Sequence, residues 1–365
     1  MSVQSAEQFL QGLNPAQREA VAAPPGPLLI IAGAGTGKTR VLTHRIAQFI
    51  ASGIDPRSIL AITFTNKAAD EMRNRVSHLL TLNATPYTLN PFIGTFHSLA
   101  LRMLREDSDA LGIPRTFVIA DDTDSLSIMK RVMKQLKVPA ERITPSEVLQ
   151  EISARKNELE GPEGIADEVK EAPLMRALYQ AYQDTLAKEN LLDFDDLLLC
   201  VVKLLEKHPA MLEKYQRRYR HIFVDEYQDT NTAQYRLVRM LAHVHRSITV
   251  VGDDYQAIYG WRGADYRNML NFTKDYPDAR VVKLEQNYRS TQTILDAADG
   301  IIKKIAARTE KTLTATRAQG VPVTVVELAN EEDEAAYILE RIFALKRNNL
   351  QLSDAVIYFK CFCFS

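Results

Sequence analysis

The chain has 365 residues, enough for two or three domains whose cores need no disulfide or metal to stabilise them. The formal net charge is −1, so no overall basic character predicts a nucleic-acid partner, and any such site must be a local patch. Three cysteines exclude a disulfide framework and favour the cytoplasm, and the absence of a long apolar run argues against a membrane partner.

The first predicted element is a short helix over residues 13–21. Asn14 is suited to the N-cap and Pro15 to the first helical position. On composition alone, Gln17 is a surface residue of this helix. A proline-rich link leads from the helix to the next element.

A phosphate-binding loop follows and organises the rest of the chain. Residues 28–31 predict a buried strand, and a helical pattern begins after the loop. Glycines between them let backbone N–H groups surround phosphate oxygens. We expect Lys38 to bind the β- and γ-phosphates of a nucleoside triphosphate and Thr39 to hold Mg²⁺. The predicted nucleotide-binding residues of the loop are Ala32, Gly33, Ala34, Gly35, Thr36, Gly37, Lys38, Thr39 and Arg40.

Two more junctions between a strand and a helix follow, near residues 59–68 and 92–104. Phe64 ends the first strand, where open α/β sheets place ligand contacts, although a core position is an equal alternative. Thr95, His97 and Ser98 begin the second helix and are good phosphate donors. A capping or core role is the alternative for His97.

The alternation of strands and helices stops over about residues 107–190. A strand-like segment at 116–120 precedes amphipathic helices over 124–136, 145–157 and 174–188. This pattern predicts a helical domain inserted into the first domain. Asp193, Asp195 and Asp196 follow it, and helix capping is favoured over metal binding for this acidic group.

An acidic pair follows the next predicted strand, at residues 221–224. Asp225 is suited to hold Mg²⁺, directly or through water, and Glu226 to act as general base. A solvated strand end is the alternative, and the phosphate loop upstream argues against it.

The segment after a strand at 248–251 combines Tyr255, Tyr259 and Trp261 with Arg262. Interleaved aromatic rings and an arginine favour a stacking platform for unpaired bases, with an aromatic core as the alternative. A strand at 281–284 then precedes Arg289, which stands before a helix over 294–305 and could stabilise phosphate charge. The tail predicts a strand at 323–328, a helix at 332–345 and a strand at 355–359.

The chain resembles the UvrD/Rep family of superfamily 1 DNA helicases over about residues 13–356. The resemblance rests on segments that occur in family order: LNPAQREAV, AGAGTGKT, TFTNKAADEM, GTFHSLA, FVDEYQDTN, VGDDYQAIYGWRGAD and QNYRST. It implies an α/β, RecA-like P-loop NTPase fold with an inserted helical domain. The implied domains are 1A (1–106 and 192–277), 1B (107–191) and a partial second RecA-like domain, 2A (278–365).

The resemblance also implies residue roles and an activity. Gln17 would read adenine, Gln256 would sense the γ-phosphate and Arg289 would act as an arginine finger. The implied activity is ATP-dependent 3′→5′ movement on single-stranded DNA and unwinding of 3′-tailed duplex DNA, with repair or replication loading proteins as possible partners. The implied DNA-binding residues are Phe64, Thr95, Phe96, His97, Tyr259, Trp261 and Arg262.

Some positions depart from the family or find no role. Tyr255 and Ala257 replace a commoner acidic residue and a serine. The Lys156–Asn157 pair looks family-like without a physical role that the sequence reveals. The family continues through a 2B insertion and a second arginine finger, whereas this sequence ends in an unusual Cys- and Phe-rich tail. We therefore expect an N-terminal fragment whose tail is a frameshift or assembly artefact, and the alternative to a working motor is a nucleotide- and DNA-binding fragment.

Overall fold

The computed structural model describes residues 8–82, 90–139, 141–167, 171–258, 260, 263–304, 309–347 and 351–358. Its strands, in chain order, are β1 (Leu28–Ala32), β2 (Ile59–Thr63), β3 (Phe92–Thr95), β4 (Val118–Ile119), β5 (Leu191–Leu192), β6 (His221–Val224), β7 (Ser247–Gly252), β8 (Arg280–Leu284), β9 (Gln286–Asn287) and β10 (Thr314–Ala315). The central sheet has six strands in the order β3-β2-β6-β7-β1-β8, all paired in parallel. Parallel sheets are covered on both faces, which explains why their strands are apolar runs.

The described part of the chain forms thirteen α-helices. They are α1 (Pro15–Ala22), α2 (Lys38–Ala51), α3 (Asn66–Leu82), α4 (Phe96–Asp107), α5 (Asp122–Gln135), α6 (Pro145–Asn157), α7 (Ala172–Lys188), α8 (Phe194–Lys207), α9 (Pro209–Arg218), α10 (Thr232–Ala242), α11 (Arg267–Asp275), α12 (Gln292–Ile302) and α13 (Glu331–Arg347). Leu28 and Ile30 of β1 pack with α1–α3, whereas Leu29 and Ile31 face α4 and α8–α11. Among the described residues, no helix combines the length and apolar character needed to cross a membrane.

Helices α5–α7 have an apolar core of their own, which includes Ile128, Met129, Leu178 and Tyr182. The chain enters this helical segment after β4 and leaves it before β5, and these two short strands pair in parallel. The three helices predicted for this region are confirmed. Asp193 caps α8, since its carboxylate accepts the Asp196 N–H at 2.9 Å, as the capping interpretation predicted.

The second predicted α/β domain differs from expectation in its strands. Residues 281–284 were expected to lie in a second sheet, but β8 pairs with β1 because Val282 and Leu284 bury their side chains in the first core. The chain divides into two compact units, Met1–Gln319 and Gly320–Ser365.

Within the second unit, α13 confirms the helix predicted over residues 332–345. Residues 323–328 and 355–358 form no strand. Val323 and Val325 are exposed there, and a strand needs a paired neighbour to satisfy its backbone groups, so β propensity alone misled the prediction. The last residue of the strand predicted at 355–359 lies outside the described residues.

Candidate functional site

The predicted nucleotide-binding segments meet at one edge of the central sheet. The phosphate loop follows β1, the acidic pair follows β6, Asp253 follows β7 and Arg289 follows β8. Because these strands are parallel neighbours, their carboxyl ends share an edge, which is where open α/β sheets bind ligands.

The phosphate loop turns sharply into α2. Gly37 caps the helix in the left-handed region, with a φ of 91°. A side chain there would also be strained by space, because a Cβ atom would lie 2.8 Å from the Gln17 Nε2 atom. The Thr36 hydroxyl donates to the Gly33 carbonyl at 2.8 Å and closes the loop. Backbone N–H groups and the positive end of the α2 dipole therefore meet where an anion would bind.

Gln17 is buried beneath this loop, 1% exposed, and is not the surface residue that composition suggested. Its Nε2 atom donates to the Thr36 carbonyl at 2.9 Å, and its Oε1 atom accepts the Asn14 N–H at 3.2 Å in a capping box. Arg40, on the first turn of α2, donates to the Gly12 carbonyl at 3.1 Å. These bonds connect the N-terminal helix to the phosphate loop.

Lys38 and Glu226 face each other across the site. The Lys38 Nζ atom lies 2.5 Å from the Glu226 Oε2 atom, and the two side chains are 10% and 34% exposed. The Gln228 amide donates to the same Glu226 oxygen at 2.9 Å. The residues predicted as phosphate ligand and general base are thus in direct contact.

Asp225 has the environment of a cation ligand. The residue is 4% exposed, and burial together with the neighbouring Glu226 charge raises the pKa of Asp225 to about 6. The nearby Thr39 hydroxyl partly offsets this rise in the pKa, since its O–H dipole favours the charged carboxylate. A hydroxyl and a carboxylate are hard oxygen donors, so this pair fits the Mg²⁺ ion predicted from the sequence.

Residues 286–290 lie against the phosphate loop. The Asn287 side chain donates to the Ala34 carbonyl at 2.6 Å and accepts the Arg289 N–H at 2.8 Å. The Tyr288 N–H donates to the Gly35 carbonyl at 2.9 Å. A Cβ atom on Gly35 would lie 2.6 Å from the Arg289 Cβ atom, which explains the glycine. The Arg289 backbone and Cβ atom therefore lie beside the loop.

Gln256 joins this edge through Asp253 and Gln228. The Gln256 amide donates to the Asp253 carboxylate, and the Asp253 N–H donates to the Gln228 Oε1 atom at 2.9 Å. Since Gln228 also holds Glu226, a chain of hydrogen bonds runs from Gln256 to Glu226. Gln228 is a connecting residue that sequence reasoning missed, although it lies within the acidic motif.

The residues predicted to contact DNA fall into different environments. Phe64 is half-buried after β2 and meets Phe96 edge-on, with ring centroids 5.7 Å apart. Phe96 is 2% exposed in the core, so its ring supports Phe64 and cannot itself line a DNA track. Thr95 is 9% exposed and uses its hydroxyl to cap α4, accepting the Ser98 N–H at 3.2 Å.

His97 lies beside an aromatic residue that the sequence interpretation did not single out. Phe194, at the start of α8, is 49% exposed, and its ring centroid lies 6.1 Å from that of His97. An apolar ring between aspartates at a helix start was the available signal. Burial lowers the pKa of His97, so the ring is neutral near pH 7. Tyr259, Trp261 and Arg262 lie outside the described residues.

Comparison with known proteins identifies this set of motifs. Residues 13–277 match the UvrD/REP helicase N-terminal domain, and residues 282–360 match the UvrD-like helicase C-terminal domain. The ATP-dependent DNA helicase PcrA of Staphylococcus epidermidis RP62A is 44% identical over 355 residues, which cover 96% of this chain and 48% of that protein. PcrA of Staphylococcus aureus Mu50 is 45% identical over 358 residues, with the same shares covered.

This chain thus spans about half the length of the curated relatives it matches. Its parallel α/β sheet with a phosphate loop confirms the fold class that the sequence predicted. The chain belongs to the UvrD/Rep family of ATP-dependent DNA helicases.

Proposed function

We propose that this chain carries the ATP site of a DNA motor that moves 3′→5′ along single-stranded DNA and opens 3′-tailed duplexes. The observation that supports this most directly is the 2.5 Å contact between Lys38 and Glu226 beside the buried Asp225. A phosphate-binding cation, a base and a metal ligand within one edge of the sheet are the parts that ATP hydrolysis needs.

Each of these residues has a role in the proposed reaction. Thr39 and Asp225 would hold Mg²⁺, which when bound neutralises charge on the phosphates. Lys38 and Arg289 bind phosphate oxygens, and Glu226 accepts a proton from the attacking water. Because Lys38 is paired with Glu226, nucleotide that draws Lys38 to its phosphates frees the Glu226 carboxylate to act as a base.

The proposed DNA surface begins at the neighbouring strand ends. Phe64, His97 and Phe194 present rings there, and stacking on rings tolerates any base sequence. Tyr259, Trp261 and Arg262 complete this surface in our proposal, on the sequence pattern alone. Repair or replication loading partners and a cytoplasmic location stay predictions from the sequence.

A second candidate is nucleotide and DNA binding without strand separation by these 365 residues. The observation that favours it is the second unit, since the described residues after Gln319 contain one α-helix and no strand. Cleft closure that drives unwinding needs two α/β domains, and these residues supply no second sheet.

Hydrolysis and strand-separation assays separate these candidates. We expect Lys38→Ala to weaken ATP binding by about tenfold or more, because a hydrogen bond to a charged group is lost. Glu226→Gln should retain ATP affinity and slow hydrolysis by ~10²-fold or more. Glu71→Gln, on the exposed side of α3, is the matched control for the glutamate change.

The outcomes are distinct. Hydrolysis stimulated by single-stranded DNA, with opening of 3′-tailed but not 5′-tailed duplexes, supports the motor. Binding of ATP and DNA without opening supports the second candidate. Unchanged hydrolysis in Glu226→Gln contradicts the assigned base, and no ATP binding by the wild-type chain contradicts both candidates.

A further inference from the structure

Lys311 is a buried lysine to which the site described above assigns no role. It lies between α12 and β10, and its side chain is 0% exposed. Its ammonium forms ion pairs with Asp253 and with Asp254, the latter at 2.8 Å. Moving a charged lysine out of water costs a large free energy of desolvation unless its partners compensate for it. The complete burial of the Lys311 side chain therefore indicates that its ion pairs are needed at this position.

The Lys311 ammonium has partners in three directions. Two are the carboxylates of Asp253 and Asp254, and the third is the face of the Tyr255 ring, whose centroid lies 3.5 Å from the Nζ atom. The backbone beside Lys311 is fastened to the same turn, since the Tyr255 hydroxyl donates to the Thr309 carbonyl at 2.8 Å. Lys311 therefore sets the shape of the turn at residues 253–255.

Asp253 divides its two carboxylate oxygens between Lys311 and the nucleotide site. Its Oδ1 atom accepts from the Lys311 ammonium, and its Oδ2 atom accepts from the Gln256 amide. Its N–H group donates to Gln228, which in turn holds Glu226. Lys311 is thus one residue away from both Gln256 and the connection to the proposed base.

Charge balance makes Gln256 depend on Lys311. Two carboxylates, 3% and 1% exposed, share the Lys311 ammonium. Without that cation they would repel each other in a medium of low polarity, and Asp253 would turn away or take up a proton. Either change removes the oriented acceptor that holds the Gln256 amide.

We propose that Lys311 is a positioning residue for Gln256, and that it allows the site to distinguish a nucleoside triphosphate from a diphosphate. Lys311 does this by neutralising Asp253 and orienting its free oxygen. The proposal rests on the proposed ATP site and on the γ-phosphate-sensing role that the family resemblance implies for Gln256. Lys311 lies in the region that matches the family's C-terminal domain, so the proposal gives that region a part in recognising the terminal phosphate.

The alternative is that Lys311 only stabilises the fold. Lys214 offers a comparison, because its Nζ atom also pairs with two carboxylates, Glu106 and Asp107, each at 2.7 Å, and lies 5.2 Å from the Tyr215 ring centroid. Lys214 is on α9, and among the described residues its acidic partners bond further to Arg218 and Tyr215, which lie outside the nucleotide site. Lys214→Met is therefore the matched control.

The test measures the affinity of the 365-residue chain for a non-hydrolysable ATP analogue and for ADP, each with Mg²⁺, by titration calorimetry. We expect the wild-type chain to bind the analogue more tightly than ADP by about tenfold or more, as a hydrogen bond to a charged group gives. Lys311→Met should abolish that preference and leave ADP affinity unchanged. Lys214→Met should keep the preference.

A double-mutant cycle identifies the route. If Lys311 acts through Gln256, then Lys311→Met combined with Gln256→Ala should lose no more preference than Gln256→Ala alone. Lys311→Gln, which can still donate to one carboxylate, gives the same readout if the methionine variant does not fold.

The proposal is overturned if the folded Lys311 variants keep the wild-type preference for the ATP analogue over ADP, or if they lose affinity equally for both nucleotides. It is also overturned if the loss of preference in Lys311→Met adds to that in Gln256→Ala, or if the wild-type chain shows no preference. Failure of the wild-type chain to bind either nucleotide would instead refute the ATP site itself.

Discussion

Glu226 adopts a backbone conformation that glycine or asparagine adopts more readily, with φ 50° and ψ 44°. A residue in this region costs about 1–3 kcal/mol and persists only where its surroundings determine its position. The surroundings here are the Lys38 ammonium at 2.5 Å and the Gln228 amide at 2.9 Å. The strained turn directs the Glu226 carboxylate into the phosphate site. The conformational free energy is therefore spent at a residue for which the proposed chemistry requires a fixed geometry.

Arg45 shows the opposite use of a buried polar group, because it stabilises the fold away from the chemistry. It is 0% exposed on α2 and donates to the carbonyls of Ala20 at 3.0 Å, Ala23 at 2.5 Å and Pro24 at 3.0 Å. Burial lowers the pKa of Arg45 to about 9, so the guanidinium stays charged at neutral pH.

We expect Arg45→Met to lower the free energy of unfolding by about 3 kcal/mol or more, since each buried carbonyl left without a donor costs about 1–3 kcal/mol. Urea unfolding followed by circular dichroism measures this loss. The control is Arg57→Met. The Arg57 side chain is 67% exposed and, among the described residues, pairs with Asp55 alone, so this variant should stay within about 0.5 kcal/mol of wild type. A loss below about 1 kcal/mol for Arg45→Met would show that the carbonyls find other partners.

At the scale of elements, the apolar runs predicted where most strands form. They could not predict which strands pair with each other. Residues 221–224 became β6 as predicted, because β2 and β7 pair with its two edges and its side chains pack in the cores on both faces of the sheet. The run at 281–284 also became a strand, but no local pattern says which sheet a parallel strand joins. At 323–328 the valines had strand propensity without a neighbour to pair with.

The site was predictable where spacing along the chain carries the chemistry. Lys38, Thr39, Asp225 and Glu226 each follow a strand, and parallel pairing brings them together. Phe96 was misjudged because burial depends on the helix face, and a short motif does not specify that face. Lys311 gave no signal, since its partners are more than fifty residues away in an unrelated segment.

The start of β6 provides a pH-dependent contribution to stability. His221 packs edge-on against Phe49 and its Nδ1 atom lies 2.8 Å from the Ser247 Oγ atom. Burial, aided by the charges of Arg220, His245 and Arg45, lowers the pKa of His221 to about 4. In the unfolded chain the His221 imidazole therefore takes up a proton with a pKa near 6.5. In the folded chain it takes up that proton only near pH 4.

It follows that this histidine reduces stability as the pH falls from about 6.5 to about 4. Because the ring is only half-buried, solvent screening limits the effect to about 1–2 kcal/mol. His221→Gln should lessen the acid-induced loss of unfolding free energy, measured by urea titrations at pH 7 and pH 4.5. His78→Gln, at an exposed histidine of α3, should leave it unchanged. Equal losses in wild type and His221→Gln would contradict this origin.

At the scale of the whole molecule, Lys156 joins the helical segment to the sheet-covering helices. It ends α6 with a side chain that is 0% exposed, and its ammonium lies 2.6 Å from Asp193 and 2.8 Å from Asp196 on α8. The adjacent Asn157 accepts a hydrogen bond from Asn231, at the end of the acidic motif, at 2.5 Å. The Lys156–Asn157 pair thus has a physical role that the sequence did not reveal.

Removing Lys156 should loosen this connection. We expect Lys156→Met to cost about 3–5 kcal/mol of unfolding free energy, because two buried carboxylates lose their cation. Relative to wild type, Lys156→Met should speed amide hydrogen exchange more in α5–α7 than in the central sheet. Adding Asp196→Asn should recover part of the loss, because it removes one of the repelling charges. If Lys156→Met is no more destabilising than the less buried Lys214→Met, the buried ion pair is not what holds the helical segment.

The short path from β8 to Arg289 has a mechanical consequence. Only four residues lie between Leu284, the last residue paired with β1, and Arg289, and the five Cα–Cα steps that join the two span at most about 18 Å when fully extended. The Arg289 backbone therefore stays within this distance of the end of β8, whatever conformation the chain beyond it adopts. A pull on that chain directed along the strand reaches β8 parallel to its own axis and loads its hydrogen bonds with β1 in shear. Bonds loaded in shear share the force and break together, so in a motor this edge strand would be the anchor that bears the load.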